Sequence, residues 1–378
     1  MKRICVIGSG FAALTAIKTL RKHSADVEIT LIAPAPEFHY YPSLIWVPAG
    51  LRSRSDIVFN IQPLLTKLKV NFQQARVTGL SEGGRCVHTD RGDVYNEGLL
   101  IASGSRFIKK LPGIEHALTL CDGITAAESI TARINQLTHG TIAVGFGGNP
   151  NEPAAVRGGP MFELLFGLDT LLRRQGKRQD IDLVFFNPAT RPGGRLGEQA
   201  VERLLARMKS RNIKTYLGAK PLRLEATKVV TEATEFHADV ILFMPGMTGP
   251  SWLANSDLPQ SPGGLIKADE NCRVPGFAAT YVVGDSGSFP GPEWAPKQAH
   301  MADLMASAAS HNLLQELAGN AKPHMRGFKW ELLCIIDMLD SATLVYRSEK
   351  RQWVSPNWRL LHWAKRFFEW WYLRGIKN

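Results

Sequence analysis

Arg3-Ile-Cys-Val-Ile7 followed by Gly8-Ser-Gly-Phe-Ala-Ala13 decides the fold of this chain. The first run is apolar and β-rich, the glycines turn it, and Ala12 to Lys22 continues as an amphipathic helix. Val27 to Ile32 then reads as a second strand. Gly8, Gly10 and Ala13 match the pattern G-x-G-x-x-G/A. The first position makes a tight turn, the second leaves out a side chain where a phosphate approaches, and the third lets helix and sheet pack closely. Amide groups at the helix start then face an anion. Strand, turn, helix and strand at these distances predict a dinucleotide site. One departure stands out. The acid expected after the second strand is missing, because Ile32 runs into Ala33-Pro34-Ala35-Pro36 and the nearest acid is Glu37.

Outward from this unit the alternation continues. Gly98-Leu-Leu-Ile-Ala102 is a strand ending at Ser103-Gly104, and Thr141 to Gly145 is another. A helix over Gly159 to Arg174, a strand at Asp182 to Phe186, a helix from about Leu196 to Ser210 and a strand at Thr215 to Gly218 follow. Val240 to Met244 is fully apolar. Thr280 to Val283 ends in Gly284-Asp285, and a long helix is expected from Pro296 to Leu317. From Met325 the chain reads as a short β-like region and an aromatic-rich helix. The expectation is an α/β fold of two Rossmann-like dinucleotide-binding domains, the second inserted in the first, with a C-terminal amphipathic, membrane-contacting helix. The first domain is expected over 1–115 and 265–320, the second over 116–264, and the C-terminal region over 321–378.

Composition sets the bounds. With 378 residues and 44% hydrophobic content, the chain can bury two or three cores, and 21% charged residues with no low-complexity run exclude a disordered protein. The net charge of +11 favours anionic partners. Basic residues are dispersed and no recognised module occurs, so nucleic acid is not an expected partner. The five cysteines, Cys5, Cys86, Cys121, Cys272 and Cys334, form no CxxC pair. Their odd number and scatter argue against a disulfide framework and against a metal site. No apolar run of about 20 residues predicts a transmembrane helix. The expected place is the cytoplasmic side, free or attached peripherally to a membrane surface.

A second glycine cluster, Gly145-Phe-Gly-Gly-Asn149, also follows a strand. Pro150, Glu152 and Pro153 come next, and the helix begins only near Gly159-Pro160. A pyrophosphate needs the helix N-terminus directly after the turn, so this reads as a degenerate nicotinamide site. Gly284-Asp285 precedes a Gly/Pro-rich loop and a long helix. An aspartate there can accept hydrogen bonds from a ribityl hydroxyl, while Pro296-Lys297 could lie near a flavin ring.

Phe38-His-Tyr-Tyr-Pro-Ser-Leu-Ile-Trp-Val-Pro-Ala-Gly50 with Asp56-Ile57 resembles the early segment of sulfide:quinone oxidoreductases. Ile101-Ala-Ser-Gly104, Val283-Gly-Asp285, Pro296-Lys297 and Gly159-Pro160-Met-Phe-Glu163 are similar to further segments of that family. Cys334-Ile-Ile-Asp337 and Val345-Tyr-Arg347 resemble the region of a redox cysteine there and in flavocytochrome sulfide dehydrogenases. The resemblance covers nearly the whole chain. It implies FAD as cofactor, a quinone acceptor, a small inorganic or sulfur donor, and cofactor contacts at Gly8, Gly10, Ala13, Ser43, Ala102, Gly104, Gly284, Asp285 and Lys297. It also implies two cysteines flanking the flavin. Cys334 matches one. The other is expected just before Gly159-Pro160, where Val156-Arg157-Gly158 stands, and Arg157 is the best alignment for it. A cation there could stabilise a reduced flavin or bind an anionic substrate. Equally, it is an arginine in a drifted surface loop. Cys121 resembles a further family cysteine. No cysteine occurs at Tyr41-Pro-Ser43, where flavocytochrome relatives attach FAD covalently, so non-covalent FAD is implied.

The helix from Pro356 to Arg374 carries Arg359, His362, Lys365, Arg366 and Glu369 at three- and four-residue steps. A face of Trp358, Leu361, Phe368, Trp371 and Tyr372 remains. Aromatics beside a basic face suit a helix lying in the headgroup region, and the same pattern fits a helix docked on the core or in a dimer. The net charge then serves attraction to anionic lipids. The functional expectation is an FAD-dependent oxidoreductase at a membrane, passing electrons to quinone, with Cys334 and Arg157 as the catalytic candidates. A type II NADH dehydrogenase-like quinone reductase and a catalytically altered FAD-binding protein are the alternatives. A homo-oligomer is left open.

Overall fold

The computed structural model describes residues 1–319 and 324–377, apart from the side chain of Cys121. The boundary expected at 320/321 therefore lies outside the described residues. In chain order the elements used below are β1 (Lys2–Ile7), α1 (Phe11–His23), β2 (Val27–Ala33), β3 (Val70–Gln74), β4 (Gly98–Ile101) and β5 (Ala117–Leu118). Then come α2 (Ile124–Gln136), β6 (Gly140–Phe146), α3 (Gly159–Arg174), β7 (Ile181–Asn187), α4 (Glu198–Ser210), β8 (Lys214–Leu217) and β9 (Val240–Met244). The chain ends with β10 (Thr280–Val282), α5 (Ala299–Leu317), β11 (Glu331–Asp337), β12 (Ala342–Ser348), β13 (Gln352–Val354) and α6 (Arg359–Lys377).

Two five-stranded sheets carry the fold. The first has the order β10-β4-β1-β2-β3 and the second β5-β9-β6-β7-β8, and every pairing in both is parallel. Parallel strands are buried on both faces, which is why Ile4-Cys-Val-Ile7 and Val240-Ile-Leu-Phe-Met244 read as unbroken apolar runs rather than alternating ones. Because β10 returns to the edge of the first sheet after the second is complete, the second unit is inserted in the first.

Helix α1 lies on the first sheet through Ala12, Ala13, Ala16, Ile17 and Leu20, all buried. Small residues let it sit close to α5, whose inner face is Met305, Ala306, Ala309 and Leu313. Each fully buried large aliphatic side chain contributes roughly 1.5–3 kcal/mol. Helix α3 is buried on nearly all sides, Met161 to Thr170 without interruption, because it is sandwiched between the second sheet and the C-terminal β-sheet β11-β12-β13.

Helix α6 shows its two stripes to different surroundings. His362 and Glu369 are 5% and 4% exposed, whereas Trp358, Trp363, Phe367, Phe368, Trp370 and Trp371 are about half exposed or more. The polar stripe meets the protein, together with Tyr372, Leu373 and Ile376, while the tryptophans face out. The physical reason is that the body supplies a partner to each inward polar group: Asp337 to His362, Glu163 to Lys365, and Arg52 to Glu369. Among the described residues no helix is long and apolar enough to cross a membrane.

Candidate active site

The glycine turn after β1 behaves as its spacing demands. Gly8 sits at φ +112°, and a Cβ there would overlap the carbonyl oxygen of Ala102 at the end of β4. Only glycine fits. Its N–H donates to the Ile32 carbonyl oxygen at 2.8 Å, tying the turn to β2. Gly10 is the N-cap of α1, and a Cβ there would meet nothing within 4 Å. Bare space over a helix N-terminus is what a pyrophosphate needs. Ala13 is fully buried against the sheet.

The ends of β4 and β10 close on the same place. Gly284 takes φ +66° with its Cα side facing Ala302 and Ala12, so it packs between the starts of α5 and α1. Ser286 donates to the Gly104 carbonyl oxygen at 2.9 Å. Gly8, Gly10, Ala13, Ala102, Gly104, Gly284 and Asp285 therefore surround the carboxyl ends of β1, β4 and β10, the crevice where parallel sheets bind dinucleotides. The residues fit FAD. Beside them lies a narrow cleft lined by Gly284, Asp285, Pro296, Lys297, Gln298 and Trp330 among others.

Lys297 is placed just before α5 rather than on it, since the helix starts at Ala299. Its ammonium donates to the carbonyl oxygens of Gly287 at 2.7 Å and Asp285 at 3.3 Å. Burial lowers its pKa to about 8, against the pull of Asp285 and Glu152. Arg157 forms an ion pair with Asp285, so the residue at the aligned cysteine position faces the cofactor crevice. Arg195 approaches from the same side, donating to the Ala154 carbonyl oxygen at 2.9 Å, and its burial lowers its pKa to about 10. Ser43 is placed elsewhere. Its hydroxyl donates to Glu369 Oε1 at 2.6 Å, both groups being buried under α6.

Cys334 lies on β11, with Sγ 3.8 Å from the position a Cβ would take on Gly159 at the start of α3. Burial raises its pKa to about 12, with Glu163 adding to the shift. It is a free thiol, as are Cys5, Cys86 and Cys272. Cys121, the further cysteine of the sequence comparison, has its side chain outside the described residues. Two groups around Cys334 were not singled out by sequence. Glu163, one turn into α3, accepts from the Asp337 N–H at 2.8 Å and from the Lys365 ammonium. Burial raises its pKa to about 7, and Lys365 opposes that rise. Lys365 also donates to the Ile335 carbonyl oxygen at 3.1 Å. Behind this pair, Asp337 accepts from Trp46 Nε1 at 3.0 Å and contacts His362 Nδ1 at 2.7 Å. Burial pushes the Asp337 carboxyl up, but His362, Lys365 and Trp46 together hold it below its ordinary value. An acid inside the motif Gly159-Pro160-Met-Phe-Glu163, on a helix otherwise apolar for a turn either side, was the available signal for Glu163.

The second glycine turn is built differently. The backbone of Gly246 closes against Gly148 and Asn149, and the Asn149 amide donates to the Met247 and Gly263 carbonyl oxygens at 2.9 Å each. At the end of β7, Asn187 is buried and donates to the Phe146 carbonyl oxygen at 2.8 Å. Residues 147–158 separate the strand from α3. At this end of the second sheet the Asn149 and Asn187 amides thus bond neighbouring carbonyl oxygens.

Residues 2–306 match the pyridine nucleotide-disulphide oxidoreductase family, to which this chain belongs. Members bind FAD, and this chain is an FAD-dependent oxidoreductase. Within the family it is similar to the sulfide-quinone reductase of Aquifex aeolicus, 24% identical over 402 residues, covering 100% of this chain and 91% of that one. The crystal structure of the sulfide:quinone oxidoreductase from Aquifex aeolicus superposes with a TM-score of 0.90 at 23% identity, over 100% of this chain and 92% of that chain. A type II NADH:quinone oxidoreductase of Staphylococcus aureus is 23% identical over 91% of this chain and 90% of its own length.

Proposed function

We propose that this flavoprotein takes an electron pair from a small sulfur donor, sulfide foremost, and delivers it to a quinone at a membrane surface. The observation that carries this reading is the cluster of Cys334, Glu163 and Lys365 where the start of α3 meets β11 and α6. The similarity to sulfide:quinone oxidoreductases supports it. Bound FAD supplies the two-electron relay between donor and acceptor. Quinone becomes quinol by gaining two electrons and two protons, so a protein group that holds a proton near neutrality must stand close to the acceptor. Glu163, with a pKa raised to about 7, meets that need, and Lys365 fixes its carboxylate.

On the donor side, uptake of sulfide by disulfide exchange needs a second sulfur opposite Cys334. Arg157 occupies that aligned position and is held by Asp285. The chain's own contribution there is a cationic wall of Arg157, Arg195 and Lys297, which favours an anionic donor such as hydrosulfide. The exposed aromatics of α6 support peripheral attachment to the bilayer that dissolves the quinone. The long loop between the second glycine turn and α3 speaks against a nicotinamide donor.

Anaerobic mixing tests the reading. Sulfide is expected to bleach the flavin absorbance and a short-chain quinone to restore it, while NADH leaves the flavin oxidised. A flavin that stays oxidised with sulfide removes sulfide as donor, and bleaching by NADH would transfer the proposal to the NADH:quinone class.

A further inference from the structure

A second cleft opens beside α6, far in sequence from the cofactor crevice. Its polar lining is Arg52, Arg366, Arg374 and Lys377 against Asp56 and Glu369, four cations to two carboxylates. Both carboxylates are already engaged. Glu369 is 4% exposed and accepts from Arg52 Nε at 3.0 and 3.1 Å and from Ser43. Asp56 accepts from the Ser53 N–H at 2.9 Å and the Ser53 hydroxyl at 2.8 Å, capping the short helix Arg54–Ile57. Among the described residues, Arg366, Arg374 and Lys377 have no carboxylate within ion-pair distance. Each instead lies over a ring: Arg366 4.9 Å from the centre of Trp363, Arg374 5.7 Å from Trp370, and Lys377 4.7 Å from Phe59. Cations stacked on rings, outnumbering carboxylates that are already hydrogen-bonded, are poised for an anion.

The position on the helix says which anion. Successive turns of α6 place Arg366, Trp370, Arg374 and Lys377 along one flank, between the inward polar stripe and the outward stripe of Leu360, Trp363, Phe367 and Trp371. Those outward side chains are 73%, 57%, 64% and 59% exposed. A cationic pocket bordering an exposed aromatic ridge has the layout of a bilayer boundary, phosphates on one side and acyl chains on the other.

We propose that this cleft is a binding site for the phosphate of an anionic phospholipid headgroup, whose chains lie along the aromatic ridge. The proposal rests on reading α6 as the membrane contact and adds the lipid class and the residues that select it. Arg366, Arg374 and Lys377 make the contacts, and the Arg52–Glu369 pair forms the back wall.

The test is flotation of the FAD-loaded full chain with vesicles of phosphatidylcholine alone and with roughly one third phosphatidylglycerol. Wild type is expected to prefer the anionic vesicles. The triple variant Arg366→Gln, Arg374→Gln, Lys377→Gln is expected to lose that preference by on the order of a hundredfold, about fivefold for each cation near the surface. Its residual binding to neutral vesicles should persist. A control with the same change in net charge, Lys209→Gln, Lys220→Gln, Lys267→Gln, is expected to keep the preference. Equal loss in the control overturns the pocket in favour of diffuse charge. Equal wild-type binding to both vesicles overturns it while leaving α6 as the membrane contact. Wild type that floats with neither vesicle overturns both. Inorganic phosphate is the remaining arm: if it binds to wild type and not to the triple variant, and vesicle preference is absent, the site serves free anions and the lipid assignment fails.

Discussion

The two glycine turns of this molecule follow equivalent strands, β1 and β6, and have opposite fates. After β1 the helix begins within one turn of chain, Gly10 is bare, and the α1 N-terminus faces open space. After β6 the chain runs through residues 147–158 before α3, the Gly246 backbone packs on the turn, and the Asn149 and Asn187 amides bond neighbouring carbonyl oxygens. The start of α3 is thereby set apart from its turn; Glu163 lies on it, and Cys334 of β11 packs against Gly159. The same βαβ frame places an open helix N-terminus after one turn and a long loop after the other. What separates them is the length of loop before the helix, because only a helix that starts at the turn aims its amides at a pyrophosphate.

The sharpest attempt to break this contrast is Gly10→Val. At φ −82° the backbone accepts valine without strain, so the apoprotein should keep its thermal midpoint. FAD binding should weaken on the order of a hundredfold or more, read by flavin fluorescence, since the side chain fills the phosphate's space. Retained affinity would show that the pyrophosphate lies elsewhere.

Next comes Glu163→Gln, which keeps an acceptor for the Asp337 N–H and removes the proton. Quinone reduction should fall by roughly a hundredfold, and its pH profile should lose the limb near 7, while sulfide-driven bleaching stays within about twofold. Stability offers an independent readout. Glu163 binds its proton more tightly in the fold, with a pKa of about 7 against an ordinary 4.5. The stability this group contributes is therefore full below about pH 4.5 and is lost as pH rises through 7. Urea midpoints of wild type should decline across that window relative to Glu163→Gln, and parallel curves would refute a buried proton there.

The smallest effect is expected from Gly148→Ala in the second turn. The new methyl would sit 3.7 Å from Val156, an ordinary contact. FAD content, sulfide turnover and the lack of NADH response should all match wild type within about twofold. A clear fall would mean that a nucleotide uses the second turn after all.

Much of the frame was legible. Gly159–Arg174 and Val240–Met244 appear with the expected boundaries, because apolar runs, Pro160 and flanking glycines punctuate backbone conformation locally. The long helix starts at Ala299 rather than Pro296, since Lys297 turns its ammonium back onto the Asp285 and Gly287 carbonyl oxygens before the helix begins. The small antiparallel sheet β11-β12-β13 was visible only as a β-like stretch. Its register, Cys334 opposite Val345, sets where the thiol points.

By itself, the sequence determined the dinucleotide turn at Gly8–Ala13, the parallel sheets and the family resemblance. These depend on steric demands within a few residues, above all a positive φ at Gly8 and an unbroken apolar strand before it. Only the tertiary structure decided which side of α6 is inside. Periodicity separates two stripes of a helix and cannot say which one meets a partner. His362, Lys365 and Glu369 could go inward only because Asp337, Glu163 and Arg52 arrive from distant parts of the chain to replace the water they give up. The same long-range pairing turned Arg157 toward Asp285. The aromatic stripe and the cations beside it were left facing out.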